Sequence, residues 1–293
     1  MRKLIMYIGL PNSGKSTHAE TFAKEHNYVI VKTNEELLRE LNKEESRVIL
    51  DNYNNVRSNR IKLIELLKDK FEDLFISGFY MATDLDTILK REAKKENANE
   101  DFVFEVIKKT SVPHMNEGFD NLELIGFDRF KTREIYFDKP LSYQDYVKKV
   151  LSYPIINKTI ELPHDNHDNV FSVSRHMFYA YQNISKLTDN KQLIAAAMLH
   201  DVGKGITKRT SDNVYADATF DGHVNVSAQL AVLYLLNCGI SKEEIFKIVF
   251  YIQNHILIKE YENNPDKKNE LEKLLGCEIQ NLKLLEIVNQ SVK

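Results

Sequence analysis

Two groups of side chains in this chain have the types and spacing for chemistry on phosphates. The first is Gly9-Leu10-Pro11-Asn12-Ser13-Gly14-Lys15-Ser16-Thr17. This is a GxxxxGK[ST] pattern placed directly after an apolar run and directly before a helical stretch. Its glycines let backbone N–H groups curl around a phosphate chain, and the helix N-terminus adds partial positive charge. Lys15 would reach the β- and γ-phosphates, and the Ser16 hydroxyl would hold Mg²⁺. The second group is rich in histidine: six of the nine histidines fall between His164 and His255. Its centre is Ala196-Ala197-Met198-Leu199-His200-Asp201-Val202-Gly203-Lys204. An apolar helix ending in His200-Asp201 presents an imidazole and a carboxylate side by side, and both are good ligands for a divalent metal. His176 lies on the preceding helical segment, His223 begins the next and His255 ends the one after.

A nucleotide site also needs a carboxylate for its metal. The run Val48-Ile49-Leu50-Asp51 is an apolar strand ending in Asp51, which suits that role, although an aspartate at a strand end also serves as a plain cap. His164 and His167 sit in the polar loop Pro163-His164-Asp165-Asn166-His167-Asp168, which reads as solvated surface rather than as part of a site.

The elements that must carry these residues change character near the middle of the chain. Residues 1–127 alternate short apolar runs (Leu4–Gly9, Tyr28–Val31, Arg47–Leu50, Leu74–Ser77 and Leu122–Ile125) with amphipathic stretches, the signature of a parallel sheet covered on both faces. From 128 to 165 the sequence is irregular, broken by Pro140, Pro154 and Pro163. After 166 the periodicity is helical: Val170–Leu187, Lys191–His200, Val224–Cys238, Lys242–His255 and Lys267–Gln290. The expected architecture is an α/β domain over 1–127, a connector over 128–165 and an all-α domain over 166–293. With 43% hydrophobic and 28% charged residues among 293, the chain can bury two cores. A net charge of −3 argues against a bulk electrostatic grip on nucleic acid. Two cysteines, Cys238 and Cys277, exclude a disulfide framework and a four-cysteine zinc site. No apolar stretch reaches the ~18 residues of a membrane span, so a cytoplasmic protein with no membrane partner is expected.

Residues 1–127 resemble the small P-loop kinases related to polynucleotide 5′-kinases. Asp51-Asn52-Tyr53-Asn54 followed by Arg60 is similar to their D-x-x-N segment, with its arginine shortly after. Leu89-Lys90-Arg91 with Lys94 and Lys95 resembles the lid that brings cations onto phosphates, and Pro113-His114-Met115-Asn116-Glu117-Gly118-Phe119-Asp120 resembles a P-x-x-x-E-G-F segment. The resemblance implies ATP and Mg²⁺ as cofactors. The nucleotide contacts it implies are Gly9, Asn12, Ser13, Gly14, Lys15, Ser16, Thr17, Asp51 and Arg91. Such kinases carry S/T-x-D-x-x-R after the second strand. Here Thr33-Asn34-Glu35-Glu36-Leu37-Leu38-Arg39 puts Glu35 in the general-base position. Its arginine stands one residue late, about 100° around a helix.

The succession His176, His200-Asp201, His223 and His255 resembles the HD phosphohydrolase superfamily. Its flavour is that of the HD domains attached to tRNA nucleotidyltransferases, with L-H-D-x-G-K, then Gly222-His223-Val224-Asn225-Val226-Ser227-Ala228, then a later histidine. By that resemblance His176, His200 and Asp201 ligate metal, and His223 and His255 ligate a second ion or contact phosphate. Lys204 then sits near the scissile phosphate. Mn²⁺, Ni²⁺, Co²⁺, Fe²⁺ or Mg²⁺ would suit the mixed N/O set. The superfamily closes with an aspartate on a late helix, where this chain offers Glu286, Asn289 and Ser291.

The two resemblances together imply an enzyme that heals nucleic-acid ends, RNA in preference. A kinase would act on the 5′-OH and a phosphohydrolase on the 3′-phosphate or 2′,3′-cyclic phosphate. Three other readings stand beside it: a nucleotidase with an ATP-sensing domain, a small-metabolite kinase, and a module that only binds ATP and metal. Phe127, Phe130, Tyr136 and Phe137 read as packing rather than as base-stacking platforms.

Overall fold

The computed structural model describes residues 1–52, 54–126, 132–165, 170–210 and 216–292. Tyr53, Phe127, Phe130 and His167, singled out above, lie outside the described residues. The chain divides into two compact units, Met1–Phe127 and Asp128–Lys293.

The first unit is a five-stranded parallel sheet of order β2-β3-β1-β4-β5, built from β1 (Arg2–Ile8), β2 (Val29–Val31), β3 (Arg47–Leu50), β4 (Leu74–Met81) and β5 (Asn121–Ile125). Helices α1 (Lys15–His26), α2 (Asn34–Leu41), α3 (Arg57–Lys70), α4 (Leu85–Glu92) and α5 (Glu100–Lys109) connect the strands. β4 runs four residues beyond the expected Ser77. Gly78 is not a breaker there: a Cβ would meet Leu122 at 2.7 Å and Phe119 at 3.0 Å, so glycine is the residue that lets neighbouring side chains approach the strand. Ala19 and Ala23 of α1 pack against Ile5, Tyr7, Ile49, Phe79 and Met81, which seats the helix after the glycine loop on the sheet.

Among the described residues the second unit is built of helices, with two isolated β-bridges: α6 (Tyr143–Tyr146, continuing as a π-turn over Val147–Leu151), α7 (Val173–Ile184), α8 (Lys191–Leu199), α9 (Lys204–Thr207), α10 (His223–Leu236), α11 (Lys242–Asn254), α12 (Leu257–Asn263), α13 (Lys268–Leu275) and α14 (Ile279–Gln290). The segment read as a connector contributes to this unit's interior: Leu141, Tyr146, Val150, Leu151 and Ile156 are buried. Tyr146 donates its hydroxyl to Met198 O at 2.6 Å. The single last helix expected over Lys267–Gln290 is instead broken. Gly276, at φ 54° and ψ −137°, takes a backbone conformation no helix contains, and the 3₁₀ turn Gly276–Glu278 separates α13 from α14. Among the described residues no helix is long and apolar enough to cross a membrane.

Candidate metal centre and the glycine loop

Four helices deliver the histidine–aspartate cluster, each for a local reason. Ser172 caps α7 by accepting from Arg175 N, which sets His176 in the first turn with its ring buried. α8 is buried over Ala195–Leu199. Side chains such as Leu193 and Leu199 each stabilise it by about 1.5–3 kcal/mol on burial, and the helix ends at His200. Asp201 follows, and then Gly203, where a Cβ would lie 2.5 Å from both His223 O and Ser227 N. Glycine is required for that approach, and Gly203 N donates to Ser227 Oγ at 2.8 Å. The glycine of H-D-x-G-K and the serine of G-H-x-x-x-S-A therefore hold α10 and His223 against the end of α8. His255 caps the C-terminus of α11.

Three of the rings are oriented alike. Nδ1 of His200 lies 2.9 Å from Ala197 O, that of His223 2.9 Å from Phe220 O, and that of His255 2.7 Å from Ile252 O. Each carbonyl lies three residues back and accepts the Nδ1 proton, so the Nε2 lone pair points inward. His176 uses Nδ1 on Val292 O at 2.7 Å. All four Nε2 atoms face Asp201. Those of His176 and His200 stand 3.7 and 3.4 Å from Oδ2, and those of His223 and His255 stand 3.4 and 3.9 Å from Oδ1.

Lone pairs thus face lone pairs. Among the described residues, His200 Nε2 and Asp201 Oδ1 are buried with no hydrogen-bond partner. A buried acceptor cluster of this kind is costly unless a cation lies among its members. Two sets of ligand atoms lie within 4.8 Å of one another, His176/His200/Asp201 and Asp201/His223/His255, and Asp201 belongs to both. The residues fit one or two divalent ions, and the nitrogen–oxygen set suits borderline metals.

The electrostatics agree. Burial pushes His176 down to about 4, helped by the neighbouring His200 imidazole. Burial likewise holds His223 down and His255 well below the usual histidine value, so these rings offer lone pairs rather than protons. Burial of Asp201 opposes its ionisation, but Lys204 and His200 outweigh it and keep the carboxylate well below its usual range. Lys204 Nζ lies 2.7 Å from Asp201 Oδ2.

Of the late-helix residues singled out in the sequence, Asn289 lies beside the cluster, its Oδ1 2.6 Å from His176 Nε2. Oε1 of Glu286 pairs with Lys259 at 3.1 Å and accepts from Gln290, while its Oε2 is buried with no hydrogen-bond partner among the described residues. His164, read from its loop as solvated, is buried. Its Nδ1 lies 2.8 Å from Phe171 O and its Nε2 3.2 Å from Lys204 Nζ, and burial and Lys204 lower its proton affinity. No local pattern marks it, because its partner is forty residues away and only the tertiary fold joins them.

In the first unit the glycine loop and the ends of β2, β3 and β4 lie along one edge of the parallel sheet, the edge where open α/β sheets bind ligands. Asn12 and Gly14 take positive φ. Lys15 Nζ donates to Gly9 O at 2.9 Å and Leu10 O at 2.7 Å. Burial pushes the Lys15 amine down to about 8 against the attraction of Asp51, which brings those two predicted residues together electrostatically. Arg91 donates to Asn12 O at 2.7 Å, and Asn12 Nδ2 donates to Glu92 at 2.6 Å, so α4 is tied to the loop. Thr83 Oγ1 holds Ser13 O at 3.0 Å. Ser16 and Thr17 begin α1 exposed, and Glu35 is exposed in the first turn of α2. Arg60, grouped with Asp51 in the sequence, is structural. It is buried and bidentate to Glu117 at 2.7 and 2.8 Å, and it also donates to Asn54 O and Asn55 O.

No curated protein matches the chain. Comparison with known families matches residues 173–281 to the HD domain, the span that contains His176, His200, Asp201, His223 and His255. The helical unit of this protein therefore carries an HD domain, which points to a metal-dependent phosphohydrolase.

Proposed function

We propose that the chain is a bifunctional nucleic-acid end-healing enzyme. In this reading the HD unit removes a 3′-phosphate or 2′,3′-cyclic phosphate, and the first unit, as a P-loop kinase, phosphorylates a 5′-OH with ATP. The observation that carries the hydrolase half is the convergence of four Nε2 lone pairs on the two oxygens of buried Asp201. His176, His200, Asp201, His223 and His255 would hold the divalent ion, with Asn289 Oδ1 beside His176. Such an ion lowers the pKa of water and polarises a phosphoryl oxygen. Lys204 supplies a positive charge for the phosphoryl oxygens from its place on Asp201.

The kinase half draws support from the motif and its strand–loop–helix setting. Lys15 would exchange the Gly9 and Leu10 carbonyls for phosphate oxygens, and Arg91 would leave Asn12 O for the same purpose. Asp51 and Ser16 would hold Mg²⁺, and Glu35 would accept the proton of the attacking hydroxyl. One observation favours a second reading, a nucleotidase whose first unit only senses ATP. Arg39, the displaced acceptor-binding arginine, is exposed and sits 3.9 Å from Glu40.

The test is a short RNA bearing a 5′-OH and a 2′,3′-cyclic phosphate, incubated with the protein, ATP and Mg²⁺ or Mn²⁺. The expected outcome is loss of 5′ phosphorylation alone in Lys15→Ala and of 3′ phosphate removal alone in Asp201→Ala. Unchanged ends with intact ATP and metal binding would overturn the end-healing reading in favour of the second.

A further inference from the structure

His164 is a buried, chemically capable side chain that the metal set does not use. Its loop is anchored on both sides of the ring. Pro163 forms an isolated antiparallel bridge with Ser172. Lys208 donates to Pro163 O and Asp165 Oδ2, and Ala218 N donates to Asp165 O at 2.9 Å. With Phe171 O 2.8 Å from Nδ1, the ring proton sits on Nδ1, and Nε2 is left as an acceptor. That acceptor meets Lys204 Nζ at 3.2 Å.

An ammonium has three donors in a tetrahedral arrangement. For Lys204 one is directed to Asp201 Oδ2 at 2.7 Å and a second to His164 Nε2. The ammonium also lies 5.2 Å from the centre of the Phe220 ring, and the His164 ring stands edge-on to that ring at 5.9 Å. With two directions held, the third N–H is fixed in space instead of sweeping a cone. We propose that His164 is a positioning residue that fixes the Lys204 ammonium so that its remaining donor meets a phosphoryl oxygen of the substrate. The proposal rests on the phosphohydrolase reading above, and it makes His164 part of the phosphate-binding apparatus.

The two amide replacements separate the two ring nitrogens. Asn at this position keeps a donor near Nδ1 for Phe171 O and lacks the distal acceptor. Gln reaches the Nε2 position with an acceptor oxygen. The experiment titrates Mn²⁺ into the full-length chain by calorimetry, then inorganic phosphate into the Mn²⁺-loaded protein, for wild type, His164→Asn and His164→Gln. The expected result is a roughly tenfold loss of phosphate affinity in His164→Asn, the size of one hydrogen bond to a charged group. His164→Gln should recover to within about threefold of wild type, and Mn²⁺ affinity should change by roughly threefold or less in both, since His164 gives the ligands no hydrogen bond and meets them only through Lys204 and an edge-on contact with the His176 ring at 5.5 Å. Wild-type phosphate affinity in His164→Asn would overturn the proposal. Equal losses in both variants, the mark of a merely structural loop, would do the same, as would loss of Mn²⁺ binding in either. A wild-type protein that binds Mn²⁺ and no phosphate would instead overturn the phosphohydrolase reading, and the proposal with it.

Discussion

The two chemical regions of this chain differ in how their charged and metal-ligating groups are satisfied, although Ser13 Oγ in the glycine loop is also buried without a partner among the described residues. In the glycine loop the charged groups are answered from within: Lys15 by two carbonyls, Arg91 by Asn12 O, and Glu92 by Asn12 and Lys95. In the histidine cluster acceptors face acceptors, and His200 Nε2 and Asp201 Oδ1 have no partner among the described residues. The second arrangement names its ligand class by what it lacks, because a buried lone-pair cluster is stable only around a cation. The first names its ligand by motif, and its groups must change partners to bind it. The helical site can therefore be argued from geometry, whereas the loop rests on pattern and setting.

The sharpest way to break this contrast is to remove the carboxylate common to both ligand sets. Asp201→Ala should lower divalent-metal affinity on the order of a hundredfold or more, beyond what loss of an outer-shell partner costs, as read by Mn²⁺ titration. The same change should leave ATP binding intact. Next comes the buried pair of the first unit. Arg60→Ala strips buried Glu117 of its bidentate partner, leaving it Arg57 at 3.6 Å and the His114 N–H, and should destabilise that unit by about 3–5 kcal/mol through the lost charge-assisted hydrogen bonds, measured by urea unfolding. A loss of less than about 1 kcal/mol would contradict a structural role for Arg60. Metal linkage is a smaller effect. Free Mn²⁺ at a hundred times its Kd should raise stability by about 2.7 kcal/mol, and a chelator should reverse the rise. Smallest is Asn289→Asp, which restores an anionic oxygen beside His176 and should tighten metal binding by roughly tenfold at most, the upper range of charge-assisted contacts at a partly exposed site.

Much of the fold was legible because its signals are local. Apolar runs marked all five strands, and the run of alanines into His200-Asp201 marked α8 and its end. Gly203 shows how a motif carries tertiary information, since its missing Cβ is what lets His223 approach. What was not legible depended on distant partners. His164 looks solvated in its own loop, and only the tertiary fold sets its ring against Lys204, Phe220 and His176. Asn289 and Glu286 lie one turn apart on α14, and only the fold shows that the first meets His176 while the second meets Lys259. Arg60 and Glu117 belong to two separate motifs, yet they serve one another. Gly276 lies inside an apolar helical period, and its backbone conformation, not its neighbours, breaks the helix.

The central claim is that the buried Asp201 and its four surrounding imidazoles form a divalent-cation site. The most direct test is Mn²⁺ titration of the chelator-treated full-length protein, followed by the paramagnetic resonance of the bound ion, alongside Asp201→Asn. The account predicts stoichiometric binding with nitrogen coupling to the bound Mn²⁺, lost in Asp201→Asn while the fold is retained. No binding by the wild-type protein, or equal binding by Asp201→Asn, would contradict it.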